Sequence, residues 1–301
     1  MKIRTLAAGL LVGALALTAC GKSGTPTGGT GDTGGAAAPS YTVATGVDVA
    51  GSATFAKIKS KGGITIGVKD DQPGLGLKDL TTGQYSGFDI EIAKMVAAGL
   101  GYDPTKITYK VVDSSAREAA ISNGDVDYYV GTYTINDKRK QQVSFAGPYF
   151  QAGQDLLVRK DDNSITGPQS LKGKKVCSVT GSTPIQRVRD QGLTEPQNIV
   201  EFQKYSQCVE KLGTKEVDAV TTDDAILKGY AAQDPDTLKV VGKPFSQEPY
   251  GIGLNKDDSA LRNKIDDLLQ ASIDNGTWQK IYNSTLGKSG STATPPPIQR
   301  Y

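Results

Sequence analysis

One pattern occurs twice in this chain, about ninety residues apart. The copies at 117–134 and 208–224 each read as an amphipathic helix, a polar turn, an acidic-Val-Asp step and a strand ending in small hydroxylated residues. The strands that open the two halves also match, ITIGVKDD from Ile64 and KVCSVTGST from Lys175. Such a repeat predicts two similar α/β lobes with a ligand cleft between their strand ends.

The composition excludes several classes of function. A chain of 301 residues is long enough for two lobes with full hydrophobic cores. It contains no histidine, which excludes imidazole metal sites and every His-dependent catalytic triad. The net charge of +2 comes without a basic run interleaved with aromatics, so no nucleic-acid partner is predicted. We expect no metal and no cofactor.

The N-terminus has the pattern of a targeting segment. Two basic residues precede an apolar run at 6–17 that is too short to span a membrane. The run ends in LTAC, which resembles a bacterial lipobox, so 1–20 is predicted to be a lipoprotein signal peptide with lipid on Cys20. An ordinary signal peptide that contains a cysteine is the alternative. The Gly- and Thr-rich segment 21–54 is predicted to be a flexible tether, which would hold the protein at the outer face of the cell membrane.

Two cysteines remain once Cys20 is assigned to lipid. Cys177 and Cys208 form an even pair in an exported chain, where disulfides persist. Their separation is 208 − 177 = 31 residues, and a bridge closing such a loop would stabilise the second lobe by about 3 kcal/mol. Two buried free thiols are the alternative.

Between the tether and the C-terminus, strand and helix patterns alternate, as in an α/β sheet. Two Pro- and Gly-containing segments, FAGPYFQAGQ from Phe145 and SQEPYGIGL from Ser246, interrupt this alternation and predict a two-strand hinge. A low-complexity segment, SGSTATPPP, lies near the C-terminal end. The predicted boundaries are lobe 1 at 55–150 and 250–287, lobe 2 at 151–249, and a disordered tail at 288–301.

Three cationic side chains stand at the ends of first-lobe elements: Lys69, Arg117 and Arg139. Asn136 is a good N-cap, and a cation such as Arg139 in the turn that follows opposes the helix dipole unless it binds an anion. Arg117 has the same unfavourable position at the start of another helix. Together the three predict a site for a ligand with more than one negative charge, although each alone could be a solvated surface charge.

The second lobe offers two further candidates. The turn TGSTP at 180–184 leaves hydroxyls and backbone N–H groups for a carboxylate or phosphate, with a structural cap as the alternative. It lacks the Lys of a P-loop, so nucleotide binding is weakly supported. Asp223 and Asp224 follow a strand, and two adjacent carboxylates exceed what a helix cap needs. One of them could therefore face a cation in the cleft.

Further motifs, in this order, resemble the signatures of extracellular solute-binding proteins for polar amino acids, which serve ABC importers. They are GFDIE at 87–91, NGDVD at 123–127, TINDKR at 134–139, F with PY at 145–149, and VDAV at 217–220. KDDQPGLG at 69–76 also resembles glutamate-binding lipoproteins of actinobacteria. The resemblance covers most of 55–287. It implies a monomeric α/β protein of the periplasmic-binding-protein-like type II fold, whose partners are a small amino acid and a permease.

The resemblance also implies how the ligand's backbone groups are held. Arg139 would bind the α-carboxylate, and Asp223 in the other lobe would bind the α-ammonium. Hydroxyl and carbonyl groups from both lobes would assist: Gly131, Thr132, Thr134, Ser182 and Thr183.

Ser114 and Arg117 match the positions that contact the ligand side chain in acidic amino acid binders, and we extend that expectation to Lys69. A buried side-chain carboxylate needs a paired cation, so glutamate is expected first and aspartate next. Many family members have an aromatic residue where Ser114 stands, so a large or apolar ligand is not expected. Glutamine is the alternative ligand. A ligand-sensing module, or a fold-related dehydratase or transglycosylase, is the alternative function. We expect a non-enzyme, because no histidine is available as a general acid or base.

Overall fold

The structure, a computed structural model, describes residues 39–301. The predicted signal peptide, Cys20 and the first part of the predicted tether lie outside the described residues. Within 39–301 no helix is long and apolar enough to cross a membrane. The helices are α1 (Ala53–Lys61), α2 (Phe88–Gly99), α3 (Arg117–Ser122), α4 (Asp137–Lys140), α5 (Thr183–Asp190), α6 (Tyr205–Gly213), α7 (Asp224–Gln233), α8 (Ser259–Asp274) and α9 (Thr277–Ser284).

Local chemistry explains where several helices begin and end. Ser52 caps α1, since its side chain accepts a hydrogen bond from the N–H of Phe55 at 2.9 Å. Asp258 caps α8 in the same way through Leu261, at 3.0 Å. α8 and α9 are separate helices, because Gly276 between them adopts φ 75° and this left-handed conformation interrupts the helical run.

The strands build one large sheet in each lobe. They are β1 (Thr65–Val68), β2 (Asp71–Gln72), β3 (Gly76–Lys78), β4 (Tyr85–Ser86), β5 (Thr108–Val111), β6 (Tyr128–Tyr129), β7 (Val143–Ala152), β8 (Gln154–Arg159), β9 (Val176–Val179), β10 (Ile199–Phe202), β11 (Ala219–Asp223), β12 (Leu238–Val240) and β13 (Glu248–Asn255). The lobe 1 sheet has the order β5-β1-β6-β13-β7, and the lobe 2 sheet β10-β9-β11-β8-β12. A small sheet, β2-β3-β4, accompanies lobe 1.

The two large sheets share one plan. In lobe 1, β1 is parallel to β5 and β6, and β13 is antiparallel to β6 and β7. In lobe 2, β9 is parallel to β10 and β11, and β8 is antiparallel to β11 and β12. The repeated helix–strand units, α3–β6 and α6–β11, therefore occupy equivalent places. This is the two-lobed α/β architecture that the sequence repeat predicts.

The strands that cross between the lobes pair with each other. β7 and β13 run antiparallel from Val143 opposite Asn255 to Ala152 opposite Glu248. Most of β7 is buried, and its Phe150 packs 5.4 Å from the ring of Phe88 in α2. Phe88 also meets Trp278 of α9 edge-on at 5.7 Å. The hinge strands are thus fixed to the lobe 1 core by aromatic packing.

Both predicted flexible ends differ from the structure where it describes them. From residue 39 onward the segment assigned to the tether packs on lobe 1: Val49 is buried, and Tyr41 donates a hydrogen bond to Glu91 at 2.8 Å. The tail at 288–301 lies against the outer edge of β7, where Tyr301 accepts a hydrogen bond from the N–H of Phe145 at 2.8 Å. Covering an exposed strand edge gives its backbone N–H and C=O groups hydrogen-bond partners. The composition of the tail does not reveal these contacts.

The predicted disulfide is present in the structure. Cys177 of β9 and Cys208 of α6 are bonded at a sequence separation of 31, and both side chains are fully buried. The bridge ties a helix of lobe 2 to the sheet beneath it. It does not join the two lobes, so it stiffens one of them without restraining their relative movement.

We expect the double variant Cys177→Ala/Cys208→Ala to lose about 3 kcal/mol of unfolding free energy, because the bridge restricts the unfolded chain. Urea unfolding followed by circular dichroism measures the loss. The control is the wild type unfolded in reductant, which should match the variant. An unchanged midpoint of the wild type in reductant would contradict the bridge.

Candidate functional site

A small cavity lies between the lobes at the ends of the strands. Its volume is about 10 Å³, which is room for roughly one water molecule. Eight of the ten predicted ligand-binding residues line it, together with Pro184, Tyr205 and Ile226. The eight are Ser114, Arg117, Thr132, Thr134, Arg139, Ser182, Thr183 and Asp223.

The other two predicted residues do not line the cavity. Lys69 is buried, and its Nζ donates a hydrogen bond to the carbonyl of Val112 at 3.1 Å. Burial and, to a smaller extent, the nearby Arg117 lower the pKa of Lys69 to about 7. Gly131 has a steric role, since a Cβ there would lie 2.7 Å from the hydroxyl of Tyr129.

The two arginines of lobe 1 converge on one neutral oxygen of lobe 2. Nη2 of Arg117 and Nη2 of Arg139 both donate to the carbonyl of Gly181, at 3.3 Å and 3.2 Å. Their guanidinium carbons lie 4.3 Å and 4.9 Å from the ring centre of Tyr133, a cation–π arrangement. Both side chains are buried. A carboxylate placed where the Gly181 carbonyl now lies would meet two cations. At present these two cations share that single uncharged oxygen.

Arg139 is held in place by its own helix and its neighbours. Asn136 caps α4 as predicted, and its side chain accepts a hydrogen bond from the N–H of Arg139 at 2.9 Å. Nη1 of Arg139 donates to the carbonyl of Thr134 at 2.7 Å, and its Nε lies 3.4 Å from a carboxylate oxygen of Glu118. Burial and Arg117 lower the pKa of Arg139 to about 10, so it stays charged at neutral pH.

Asp223 presents the opposite charge from lobe 2. Its Oδ2 accepts a hydrogen bond from the hydroxyl of Tyr250 at 2.6 Å, while its buried Oδ1 has no partner within residues 39–301. Burial and then Glu248 raise the pKa of Asp223 to about 7, although the Tyr250 hydrogen bond opposes the rise. The side chain of Asp223 does not cap α7. The neighbouring Asp224 forms an ion pair with Lys228 at 2.5 Å. Asp223 is therefore the carboxylate of the predicted pair that faces the cleft.

The TGSTP turn makes a structural cap and also lines the cleft. Ser182 caps α5 by accepting a hydrogen bond from the N–H of Ile185 at 3.4 Å. Thr183 donates its hydroxyl proton to Glu248 at 2.8 Å, and its oxygen lies 3.5 Å from the hydroxyl of Thr134 across the cleft. Because that proton is committed to Glu248, the Thr183 hydroxyl can act toward the cleft only as an acceptor.

Two further residues shape the lobe 1 side of the cavity. Thr132 adopts φ 46°, a left-handed conformation, with its N–H donated to the buried Asp89 at 2.9 Å and its hydroxyl to Gln72 at 3.2 Å. Ser114 orients the guanidinium of Arg117, since its carbonyl accepts a hydrogen bond from Nε of Arg117 at 3.1 Å.

The lobes also touch at the mouth of the cleft. Lys204 of lobe 2 pairs with Asp70 of lobe 1 at 2.7 Å, and the N–H of Ser206 donates to Asp71 at 3.1 Å. The lobes approach so closely here that a Cβ on Gly229 would lie 2.3 Å from the carbonyl oxygen of Pro73. These contacts, with the small cavity, define a closed arrangement of the lobes.

Several residues of the site were not predicted from the sequence. Tyr133, Tyr205 and Tyr250 are buried aromatics, and the sequence pattern gives no reason to separate them from ordinary core residues. Glu118 follows Arg117 in a helix and reads as a solvated charge. Only the folded chain brings these side chains to the charged groups that they support.

Comparisons with known proteins agree with this geometry. The family model of bacterial extracellular solute-binding proteins, family 3, matches residues 64–288. "Glutamate-binding protein GluB" of Corynebacterium efficiens is 40% identical over 237 residues, covering 75% of this chain and 80% of that protein. "ABC transporter glutamine-binding protein GlnH" of Bacillus subtilis is 39% identical over 233 residues, covering 77% and 84%.

Among solved structures, an ancestral arginine-binding protein bound to glutamine matches with a TM-score of 0.69 and 38% identity, covering 75% of this chain and 98% of that one. The chain belongs to the bacterial extracellular solute-binding proteins, family 3. The resemblance expected from the sequence motifs is confirmed.

The raised pKa of Asp223 predicts how stability depends on pH. In the folded protein this pKa is about 7, above the ordinary 3.8, so the folded state binds the proton more tightly than the unfolded state does. The protonated Asp223 carboxyl therefore contributes to the free energy of unfolding. This contribution is complete below about pH 4 and is lost as the pH rises through 7. We expect ligand-free Asp223→Asn to be more stable than the wild type by about 4 kcal/mol at pH 8, with no gain at pH 4.

Urea unfolding at pH 4, 6 and 8 measures this difference. Asp224→Asn is the matched control, since Asp224 pairs with Lys228 and should not gain stability at pH 8. A stability gain in Asp223→Asn that is the same at every pH would contradict the assignment.

Proposed function

We propose that this protein captures an acidic amino acid, glutamate before aspartate, and delivers it to an ABC importer. The observation that carries the proposal is the charge arrangement of the cleft. Two buried arginines of lobe 1 converge on one oxygen position, and Asp223 of lobe 2 presents a buried carboxylate oxygen without a partner in the described chain. An amino acid carries the matching groups, a carboxylate and an ammonium, on a single carbon.

Arg139 binds the α-carboxylate in this proposal. It already donates to the Thr134 carbonyl and lies beside Glu118, so its guanidinium is oriented before the ligand arrives. The Ser182–Thr183 turn contacts the same carboxylate through its backbone. Asp223 pairs with the α-ammonium, and the hydroxyl oxygen of Thr132 is a further acceptor. Because one ligand joins groups of both lobes, it stabilises the closed form.

Arg117 selects the acidic side chain. It is buried beside Ser114, and Lys69 adds positive charge behind it. A neutral amide in place of the carboxylate would leave a buried cation without its counter-ion, which is costly. The relative named for glutamate supports this assignment.

Glutamine is the alternative ligand. The lowered pKa of Lys69, about 7, means that this side chain loses part of its charge near neutral pH, which weakens the preference for a carboxylate. One of the relatives is named for glutamine binding. The relative affinities for the two amino acids therefore test the role of the side-chain pocket.

We also propose that the protein acts as a monomer, held at the cell membrane by lipid on Cys20. The support is the LTAC sequence that follows an apolar run. Metabolic labelling with a radioactive fatty acid, compared between the wild type and Cys20→Ala, tests the anchor. A sensor or an enzyme of the same fold is the remaining alternative function, and the absence of histidine from the sequence disfavours the enzyme.

Isothermal titration calorimetry of residues 39–301, stripped of carried-over ligand by unfolding and oxidative refolding, tests the proposal. We expect one-to-one binding of glutamate, with glutamine at least tenfold weaker, about 1.4 kcal/mol. Aspartate, asparagine, arginine and histidine complete the panel. Equal or tighter glutamine binding would overturn the pocket assignment while keeping the family, and no binding to any amino acid would overturn the function.

Two arginine variants separate the two carboxylates of the ligand. Arg139→Ala is expected to weaken binding of every amino acid by about 100-fold, because it removes a buried charge-assisted contact common to all. Arg117→Ala is expected to reduce the glutamate-to-glutamine affinity ratio about tenfold or more. Arg189→Ala, on the outer side of α5, is the control and should bind like the wild type. An unchanged ratio in Arg117→Ala would contradict its role.

A further inference from the structure

The hinge residue Tyr250 contacts residues of the cleft in both lobes. It lies in β13, is fully buried, and its ring packs between those of Tyr149 at 6.2 Å and Phe150 at 5.7 Å. Its hydroxyl donates to Oδ2 of Asp223, in lobe 2, at 2.6 Å. Its backbone forms an antiparallel bridge with Thr134, in lobe 1.

Backbone hydrogen bonds on both sides of that bridge hold the lobe 1 segment to the hinge. The N–H of Ile135 donates to the carbonyl of Pro249 at 2.8 Å, and the N–H of Gly251 donates to the carbonyl of Tyr133 at 2.9 Å. The carbonyl of Thr134 then accepts from Arg139 at 2.7 Å. Arg139 is thus linked to Asp223 through the backbone on either side of the Thr134–Tyr250 bridge and through the Tyr250 hydroxyl.

We propose that Tyr250 is a positioning residue for ligand binding, which aligns Asp223 of lobe 2 with the Thr134–Arg139 unit of lobe 1. Its hydroxyl occupies Oδ2 of Asp223, so that Oδ1 is the oxygen left for the ligand ammonium. The inference rests on the proposed function, since it assigns Asp223 to an ammonium. Tyr250 is thereby added to the residues on which ligand binding depends, and as a hinge residue it need not touch the ligand.

The charges around Asp223 show why this hydrogen bond affects binding. Glu248 on the hinge and Asp224 at the start of α7 disfavour the ionised carboxylate, as does burial. Arg139 and the Tyr250 hydroxyl favour it, and Tyr205 from α6 also faces it. An ammonium pairs with the carboxylate only in its ionised form. Because the Tyr250 hydroxyl favours the ionised form, its removal raises the pKa of Asp223. Binding is then weakened most at low pH, where less of the carboxylate is ionised.

The test is Tyr250→Phe, which keeps the ring packing and removes only the hydroxyl. Glutamate affinity is measured by calorimetry on residues 39–301 at pH 6, 7 and 8.5. A pKa increase of about one unit would weaken binding relative to the wild type about tenfold at pH 6, and less than about threefold at pH 8.5. Lys69 titrates in the same range in both proteins, so the ratio of their affinities cancels its effect.

Tyr128→Phe is the matched control, because this buried tyrosine of β6 donates to the carbonyl of Ala93 at 3.0 Å and does not line the cavity. It should lose stability but keep the pH dependence of the wild type. A ratio for Tyr250→Phe that is constant with pH, or equal to that of Tyr128→Phe, would overturn the inference. Failure of the wild type to bind any amino acid would overturn the proposed function instead.

A ligand-free measurement keeps the inference testable in that case. The pH at which Asp223 titrates follows from the stability difference between each protein and its Asp223→Asn derivative. This pH should be higher in the Tyr250→Phe background than in the wild type. An identical titration in both backgrounds would show that the hydroxyl does not hold the carboxylate, and the inference would be wrong.

Discussion

The antiparallel pairing of β7 and β13 sets the geometry on which the rest of the molecule depends. Both strands belong to the lobe 1 sheet, and both continue into lobe 2, so the two lobes are joined by a hydrogen-bonded ladder. The aromatic packing of Phe150 and Tyr250 anchors this ladder in the lobe 1 core. Asp223 is placed by the same ladder, because β11 pairs with β8, the strand that directly follows β7. The hinge thereby fixes where opposite charges can meet.

The buried charged groups of the cleft lower the stability of the folded protein. Arg117, Arg139, Asp223 and Lys69 are all buried, and burial shifts the pKa of the last three toward the neutral form. In the closed arrangement the arginines share a neutral carbonyl, which compensates two charges poorly. A ligand with the complementary charges removes that penalty, so its binding energy appears as preference for the closed form. Contacts at the rim, such as Lys204 with Asp70, favour closure independently of the ligand.

Much of this could be predicted from the sequence, because the signals are local. The repeat indicated two lobes, the cysteine pair indicated the bridge, and Asn136 marked the start of the helix that carries Arg139. Eight of the ten predicted residues line the cavity, and the charged ones among them stood out because cations at helix starts and carboxylates at strand ends are unusual. Lys69 does not line the cavity, and its position depends on how β1 meets its neighbours. The tail was misjudged because its low complexity hides the contacts of Tyr301 with the edge of β7.

By itself the sequence determined the two-lobed α/β class, the family and the inventory of charges, because periodicity, caps and motif order are properties of neighbouring residues. Only the tertiary structure decided which carboxylate of the pair Asp223–Asp224 faces the cleft and which residue aligns it. Tyr250 and Asp223 are distant in sequence, and their hydrogen bond exists because two separate strand pairings bring them within 2.6 Å. A buried tyrosine looks the same in a sequence whether its hydroxyl meets a core carbonyl or a ligand-binding carboxylate. The difference is a matter of packing, which long-range contacts fix.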